Sequence, residues 1–404
     1  MSDPPPVGDP PRPTVIRANL LVLAVAQALG LSGMSMMVFI GGIVGRQLAP
    51  SASLATLPVA LAVIGLASAT VPGAFLSRRI GRRLAFVLGA AVAAAAALLL
   101  YQAVASGSFS LFCAGAAVLG VNGAFVQQYR FAAAESAPQQ FAGRAVSLVL
   151  IGGIVGGVLG PEVARRTRGL TDEPFAGSFL ALAALLLLSI LVLSRLRRTE
   201  AGPVPRSPGQ EAAPATAGQS AFAIAVLSAA VGYVVMSSVM TATPLHLREN
   251  GFDIDQSALI IQSHVVAMYL PSLASGYIMD RLGVPRVVIA GVVGMAAAVV
   301  VGATASTFAA FWAALVLLGL GWNFMFLGGT VLLARSAAGP DRFRLQAIND
   351  FSVFGAQALA SLSAGTALAL VGWQTLNLAL LPAIGVVALA VAFRRRSLRA
   401  APVA

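Results

Sequence analysis

The chain has 404 residues, 58% of them hydrophobic and only 10% charged, with a mean hydropathy of +0.88. Soluble domains carry about 25% charged residues, so this composition excludes a soluble globular protein and puts most of the chain in hydrocarbon. The net charge of +12 does not point to nucleic acid, because basic residues flanking membrane spans on the cytoplasmic side produce the same excess.

Residues 1–15, rich in Pro with Asp3 and Asp9, read as a disordered cytoplasmic tail. The first apolar run is too long for a signal peptide. A spanning helix needs about 20 apolar residues, and twelve runs of that kind follow: 16–44, 53–77, 83–105, 108–132, 142–163, 176–195, 219–244, 256–279, 286–305, 308–333, 345–370 and 373–393. The longest interruption, 196–218, opens on Arg197 and Arg198 and continues in Pro, Gly, Ala and Ser, the composition of a flexible linker. The expected architecture is an all-α membrane protein with twelve transmembrane helices. They form two pseudo-symmetric six-helix bundles, 16–195 and 219–393, ahead of a basic cytoplasmic tail at 394–404. All basic residues are Arg. With both termini inside, only Arg46, Arg165, Arg166, Arg168 and Arg248 fall outside, which orients the chain in a bacterial inner membrane. The cluster at 165–168 runs against that trend.

The lone Cys113 allows neither an internal disulfide nor a thiolate metal cluster, and His246 and His264 are too few for a zinc site. No phosphate-binding G-x-x-x-x-G-K-[ST] loop, His-Glu-x-x-His or Ser/His/Asp cluster is present. Neither ATP drive nor an enzyme is expected, and no metal or cofactor.

The two halves repeat. Ala28-Leu29-Gly30 with Met34-Ser35 matches Ala230-Val231-Gly232 with Met236-Ser237, and Gly120-x-Asn122-x-x-Phe125 matches Gly321-x-Asn323-x-x-Phe326. Ordered matches at an offset of half the length indicate duplication. Between the eighth and ninth runs lies Gly276-x-x-x-Asp280-Arg281-x-Gly283, followed by Arg286. A damaged copy, Ala74-x-x-x-Arg78-Arg79-x-Gly81, separates the second and third runs.

This segment resembles the signature loop between the second and third helices of each half in the major facilitator superfamily. The resemblance covers nearly the whole chain and implies that fold. It also implies transport of a small molecule through a site between the halves, often coupled to protons, and a loop that latches the halves together at the cytoplasmic side. In the first copy Arg78 replaces the acid, so a charge-swapped latch is expected. Asp350, at the start of the eleventh run, would face Arg78 or Arg79, and Asp280 would face Arg144, with Arg335 nearby. Arg130, at the end of the fourth run, is assigned to gating beside them.

The fifth run carries Gly152, Gly156 and Gly160 at every fourth position, a stripe for close helix packing. Gly160-Pro161 resembles the end of a motif associated with antiporters of the superfamily. Polar residues in the apolar runs are candidates for the substrate site: Gln27, Asn122, Gln127, Gln262, His264, Trp322 and Asn323. An ionisable group inside a membrane is a functional candidate by default. Glu162, His264 and Asp350 are therefore candidate proton carriers, and for His264 the competing reading is a neutral ring bonded to a neighbouring helix.

The expected activity is secondary active transport of a small organic molecule by alternating access, by a monomer in the lipid bilayer. Gly160-Pro161 favours proton-coupled efflux of drugs or metabolites. The absence of an acid in the first run favours uptake of a vitamin of the riboflavin type or of an aromatic compound. A membrane sensor or scaffold that transports nothing is the remaining class.

Overall fold

The computed structural model describes residues 13–137, 142–197, 215–336 and 342–399. The tail 1–12, the linker residues 198–214 and residues 400–404 lie outside the described residues. What is described is helical throughout.

In chain order, α1 (Pro13–Leu48), α2 (Leu57–Ile80), α3 (Arg82–Ala105), α4 (Phe109–Val126) and α5 (Tyr129–Ser136) precede α6 (Ala142–Thr167) and α7 (Ala176–Leu193). Then come α8 (Ala215–Glu249), α9 (Ile254–Tyr269), α10 (Ser275–Leu282), α11 (Val284–Thr304), α12 (Phe308–Ser336), α13 (Arg342–Leu378) and α14 (Leu381–Arg399).

Among the described residues ten segments are long and apolar enough to cross a membrane by length and composition, against the twelve runs marked in the sequence. Two local features account for the difference. The eighth run is broken after Tyr269 by a 3-10 turn, Leu270–Leu273, with Pro271 in its first turn. Proline has no N–H to give an α-helical bond, and the run becomes the short pair α9 and α10. The eleventh and twelfth runs join into one segment, Ile348–Arg394, in which Gly372 (φ 76, ψ 171) turns the chain. The fourth run also divides, at Gln127 and Gln128, into α4 and α5.

Why these helices stay in lipid is visible in α3. Ala85, Phe86, Gly89, Ala90, Ala93, Ala97 and Leu100 make its buried face, while Leu84, Leu88, Val92 and Leu98 are exposed. A helix apolar on every side suits a setting with no water on its outer face. Small residues line the contacts instead of large ones. α1 packs mainly on α6, α2 on α4, α3 on α4 and α7, α8 on α12 and α13, and α11 on α12. These sets meet where α6 packs on α9, α2 on α13 and α1 on α8.

Asn19 fastens the end of the first set. Its amide donates to the Arg197 carbonyl at 3.1 Å and accepts from the Arg197 N–H at 3.0 Å, so α1 holds the chain that leaves α7.

The repeat in the sequence is matched in the backbone. Gly81, between α2 and α3, has φ 83 and ψ 151; Gly283, between α10 and α11, has φ 77 and ψ 146. A Cβ is strained there, and holding a non-glycine residue in such a region costs about 1–3 kcal/mol. Gly81→Ala and Gly283→Ala should each lower thermal stability in detergent by that amount. Gly355→Ala, at an open site with ordinary backbone, should not. Equal melting of all three variants would contradict the assignment.

Candidate functional site

A cavity lies where the two sets of helices face each other. Met34, Ser35, Val63, Gln127 and Gly157 line one wall; Tyr233, Met240, His264, Tyr269, Trp322 and Phe354 line the other. Its volume, about 150 Å³, is below the roughly 300–1,000 Å³ typical of ligand pockets. The helices must part before an organic solute fits.

The wall chemistry is specific. Met34, Met236, Met240 and Met268 supply polarisable thioethers, and Tyr233, Tyr269, Trp322 and Phe354 supply ring surfaces. Ser35, Ser237, Thr241, Gln127 and Gln357 add hydrogen-bonding groups, and among the described residues no carboxylate lines the cavity. Tyr233 is the centre of the aromatic cluster, edge-on to Trp322 at 5.2 Å, to Phe326 at 5.6 Å and to Phe354 at 5.7 Å. Trp322, a substrate candidate from the sequence, is stacked on Phe326 at 4.9 Å and 12°. One of its faces is therefore occupied.

Three of the seven substrate candidates from the sequence line this cavity: Gln127, His264 and Trp322. The other four sit in helix contacts instead. Asn323 donates to the Met268 carbonyl and to Ser272 Oγ, each at 2.6 Å, across the break in α9. Gln262 donates to the Val158 carbonyl at 3.2 Å and ties α9 to α6. Gln27 is buried beside Gly153, and Asn122 beside Gly30. A buried amide in lipid is satisfied most readily by a neighbouring helix, which a single sequence does not distinguish from a cavity-facing one. Conversely, Tyr233, Tyr269, Phe354 and the methionines carry no separate signal within apolar runs.

His264 is fully buried, and its Nδ1 lies 2.8 Å from the Leu315 carbonyl of α12. The neutral, helix-bonded reading of this residue accounts for that contact. Glu162, the second proton-carrier candidate, is paired with both Arg165 (2.8 Å) and Arg166 away from the cavity. Asp350, the third, accepts a bond from the Asn349 amide at 3.1 Å and lies within electrostatic reach of Arg130.

At the end marked by Gly81 and Gly283, Arg79 covers the Phe75 ring at 4.6 Å and Arg130 covers Phe131 at 4.9 Å. Arg130 also acts electrostatically on Tyr233 and Tyr269. Arg78 lies in the last turn of α2, and Arg281 is exposed on α10. The side chains of Arg144, Asp280 and Arg335 lie outside the described residues, and Gly276 falls in the first turn of α10. Arg82 forks onto Glu135 at 2.7 and 2.5 Å, joining α3 to α5, a pair that sequence reasoning missed.

At the opposite end Arg165 bonds Asp255 at 3.2 Å, linking α6 to α9. Arg165 and Arg166 of the cluster that broke the charge trend are thus matched by acids. Its energetic share is small, because the side chains are 30% and 61% exposed and exposed pairs contribute about 0–1 kcal/mol. Close packing dominates this end. A Cβ at Gly157 would run into Val265, and one at Gly365 into Thr56, while Thr366 donates to the Ser53 carbonyl at 3.3 Å. The glycine stripe on α6 works in the same way against α1, with Gly152 over the Ala24 carbonyl, Gly156 over Ala28 and Gly160, next to Pro161, over Ser32 and Ser35.

This balance sets an order of effects. With Cys113 replaced by Ser, spin labels at positions 168 and 250 report the separation of the two sides. Asp255→Asn should change the populations less than about fivefold, and Gly157→Leu should shift them to longer distances. The reverse order would assign the closure to the ion pair.

The family model described as Major Facilitator Superfamily matches residues 21–260 and again 225–403. A riboflavin transporter, RfnT of Brucella anthropi, is 37% identical over 93% of this chain and 95% of its own length. An uncharacterized transporter of the same type from Bacillus subtilis, YdeG, is 28% identical over 83% of this chain and 82% of its own. Among solved structures, the xylose transporter XylE from E. coli, in a partially occluded inward-open conformation, aligns with a TM-score of 0.69 and 16% identity over 95% of this chain and 98% of its own. A bacterial homologue of the human lysosomal transporter Spinster, inward-facing and unoccupied, gives 0.68 and 13% over 96% and 98%.

Proposed function

The chain belongs to the major facilitator superfamily, and we propose that it is a secondary transporter that carries riboflavin, or a planar solute of that type, into the cell. The observation that carries this reading is the 37% identity to a riboflavin transporter over 93% of the chain. The cavity supports it. Rings and thioethers suit a flat aromatic solute, Gln127, Gln357 and Ser237 suit its polar edges, and a lipophilic cation would want the carboxylate that the described wall lacks.

In this reading twelve crossings form two six-helix bundles, 16–195 and 219–393, joined by the linker 196–218. The chain works as a monomer in the bacterial inner membrane with both termini in the cytoplasm. The Arg165–Asp255 end then faces outward and is closed, and the Gly81 and Gly283 loops face the cytoplasm. Substrate moves by alternating access, the bundles rocking about the cavity. The inner mouth closes when Asp350 approaches the Arg side, where Arg130 is its nearby cation. The efflux reading rests on Gly160-Pro161, and Gly160 is accounted for by its contact with α1. The proton, if one is coupled, is carried at the inner mouth by Asp350 rather than by Glu162, which its two arginines already hold.

Expression in a riboflavin-auxotrophic bacterium that lacks its own importer separates the directions. Growth on low external riboflavin is the expected result; lower internal flavin without growth would mean export. In proteoliposomes Gln127→Leu should raise the half-saturating riboflavin concentration about fivefold, the worth of one hydrogen bond of about 1 kcal/mol. Asp350→Asn should abolish any acceleration by a pH gradient. Identical rates with and without the gradient in the parent protein would reject proton coupling.

A further inference from the structure

Two buried polar atoms in the cavity wall have no partner among the described residues: His264 Nε2 and Trp322 Nε1. Natural interiors leave few such atoms, and each one costs about 1–3 kcal/mol unless something bonds it.

The state of His264 follows from its neighbour. A carbonyl oxygen only accepts, so the Nδ1 that faces Leu315 at 2.8 Å carries the hydrogen. No carboxylate pairs with the ring among the described residues, and an unpaired charge in that position would be costly. The ring is neutral, and Nε2 presents a bare lone pair. Trp322 is the opposite case, since the indole Nε1–H can only donate.

Their spacing is set by α12. Leu315, Gly319 and Trp322 fall on one face of that helix, and a Cβ at Gly319 would come within 2.6 Å of the His264 carbonyl, so this face lies on α9. Leu315, whose carbonyl anchors His264, and Trp322 are seven residues apart, about two helical turns, so both meet α9 along the same face. Tyr233 and Tyr269 flank Trp322.

We infer that His264 Nε2 and Trp322 Nε1–H are a paired acceptor and donor that select a planar solute with an N–H at one edge and a hydrogen-bond acceptor toward the other. This rests on the proposed transport of a flavin-type solute and deepens it: an imide N–H meets His264, and a hydroxyl of the side chain meets Trp322. His264 is then a specificity-determining residue and not a proton carrier. Both atoms are sealed from water at the present cavity volume, so the solute engages them as the helices part.

The test is a binding titration of the purified full chain in detergent, read by flavin fluorescence, with riboflavin and 3-methylriboflavin, whose imide N–H is replaced by a methyl group. The parent protein should bind the methyl compound about tenfold more weakly. In His264→Leu riboflavin should weaken about tenfold and the methyl penalty should vanish. His264→Gln, whose carbonyl oxygen can stand near the position of Nε2, should restore part of it. Trp322→Phe, which keeps the ring and loses the donor, should weaken both flavins equally. The parent comparison of the two flavins stands even where a variant fails to fold. Riboflavin binding with no methyl penalty, or with the same penalty in His264→Leu, would overturn the pairing and leave the flavin reading intact. No riboflavin binding by the parent would overturn both.

Discussion

Close approach of helix backbones is the constraint on which the rest of this structure depends. In lipid no hydrophobic force drives one apolar helix onto another, so association relies on van der Waals fit and interhelical hydrogen bonds. The chain meets that demand by placing glycine where a neighbouring carbonyl stands. Gly120 closes on Ala62, Gly152 on Ala24, Gly319 on His264, Gly321 on Gly291 and Gly329 on Ala225. A side chain at any of these positions would push two helices apart. The large share of Ala and Gly is thus a packing requirement as well as a compositional bias.

The same constraint explains where polar side chains go. With no water in the hydrocarbon, an amide or hydroxyl turns to a carbonyl of its own helix or of a neighbouring one. Asn323, Gln262, Ser228 and Trp373 each do so, on Met268, Val158, Met325 and Gly302. Groups used in this way stabilise the fold and are withdrawn from the solute. Unbonded groups at the cavity wall are the ones whose chemistry a solute can meet. His264 belongs to both classes: it lines the cavity, one nitrogen holds α12, and the other has no partner among the described residues.

Asymmetry along the long axis follows from packing more than from charge. The end with Arg165 and Asp255 is held by small residues in contact across α6–α9 and α2–α13, and its ion pair is partly exposed. At the other end Arg130 and Asp350 are near each other without a direct bond between them.

Much of this was legible in the sequence because hydrocarbon imposes a strong one-dimensional pattern. Long apolar runs separated by Arg and Gly located the helices, and the offset between the Gly81 and Gly283 copies anticipated two turns of the same backbone shape. Pro271 and Gly372 were also visible, yet what they would do was not. A break in a helix and a turn between two helices look alike until neighbours decide whether the freed backbone groups can be satisfied.

What the sequence determined by itself was therefore the membrane class, the repeat and the family, since composition, period and a local motif are properties of the chain alone. Which polar residues face the cavity was decided only in three dimensions. Gln27, Asn122, Gln262 and Asn323 read the same as Gln127 along the chain, and Tyr233 and Phe354 read as ordinary apolar filling. Their assignment depends on the rotation of each helix about its axis, and that rotation is set by glycine contacts with partners many residues away.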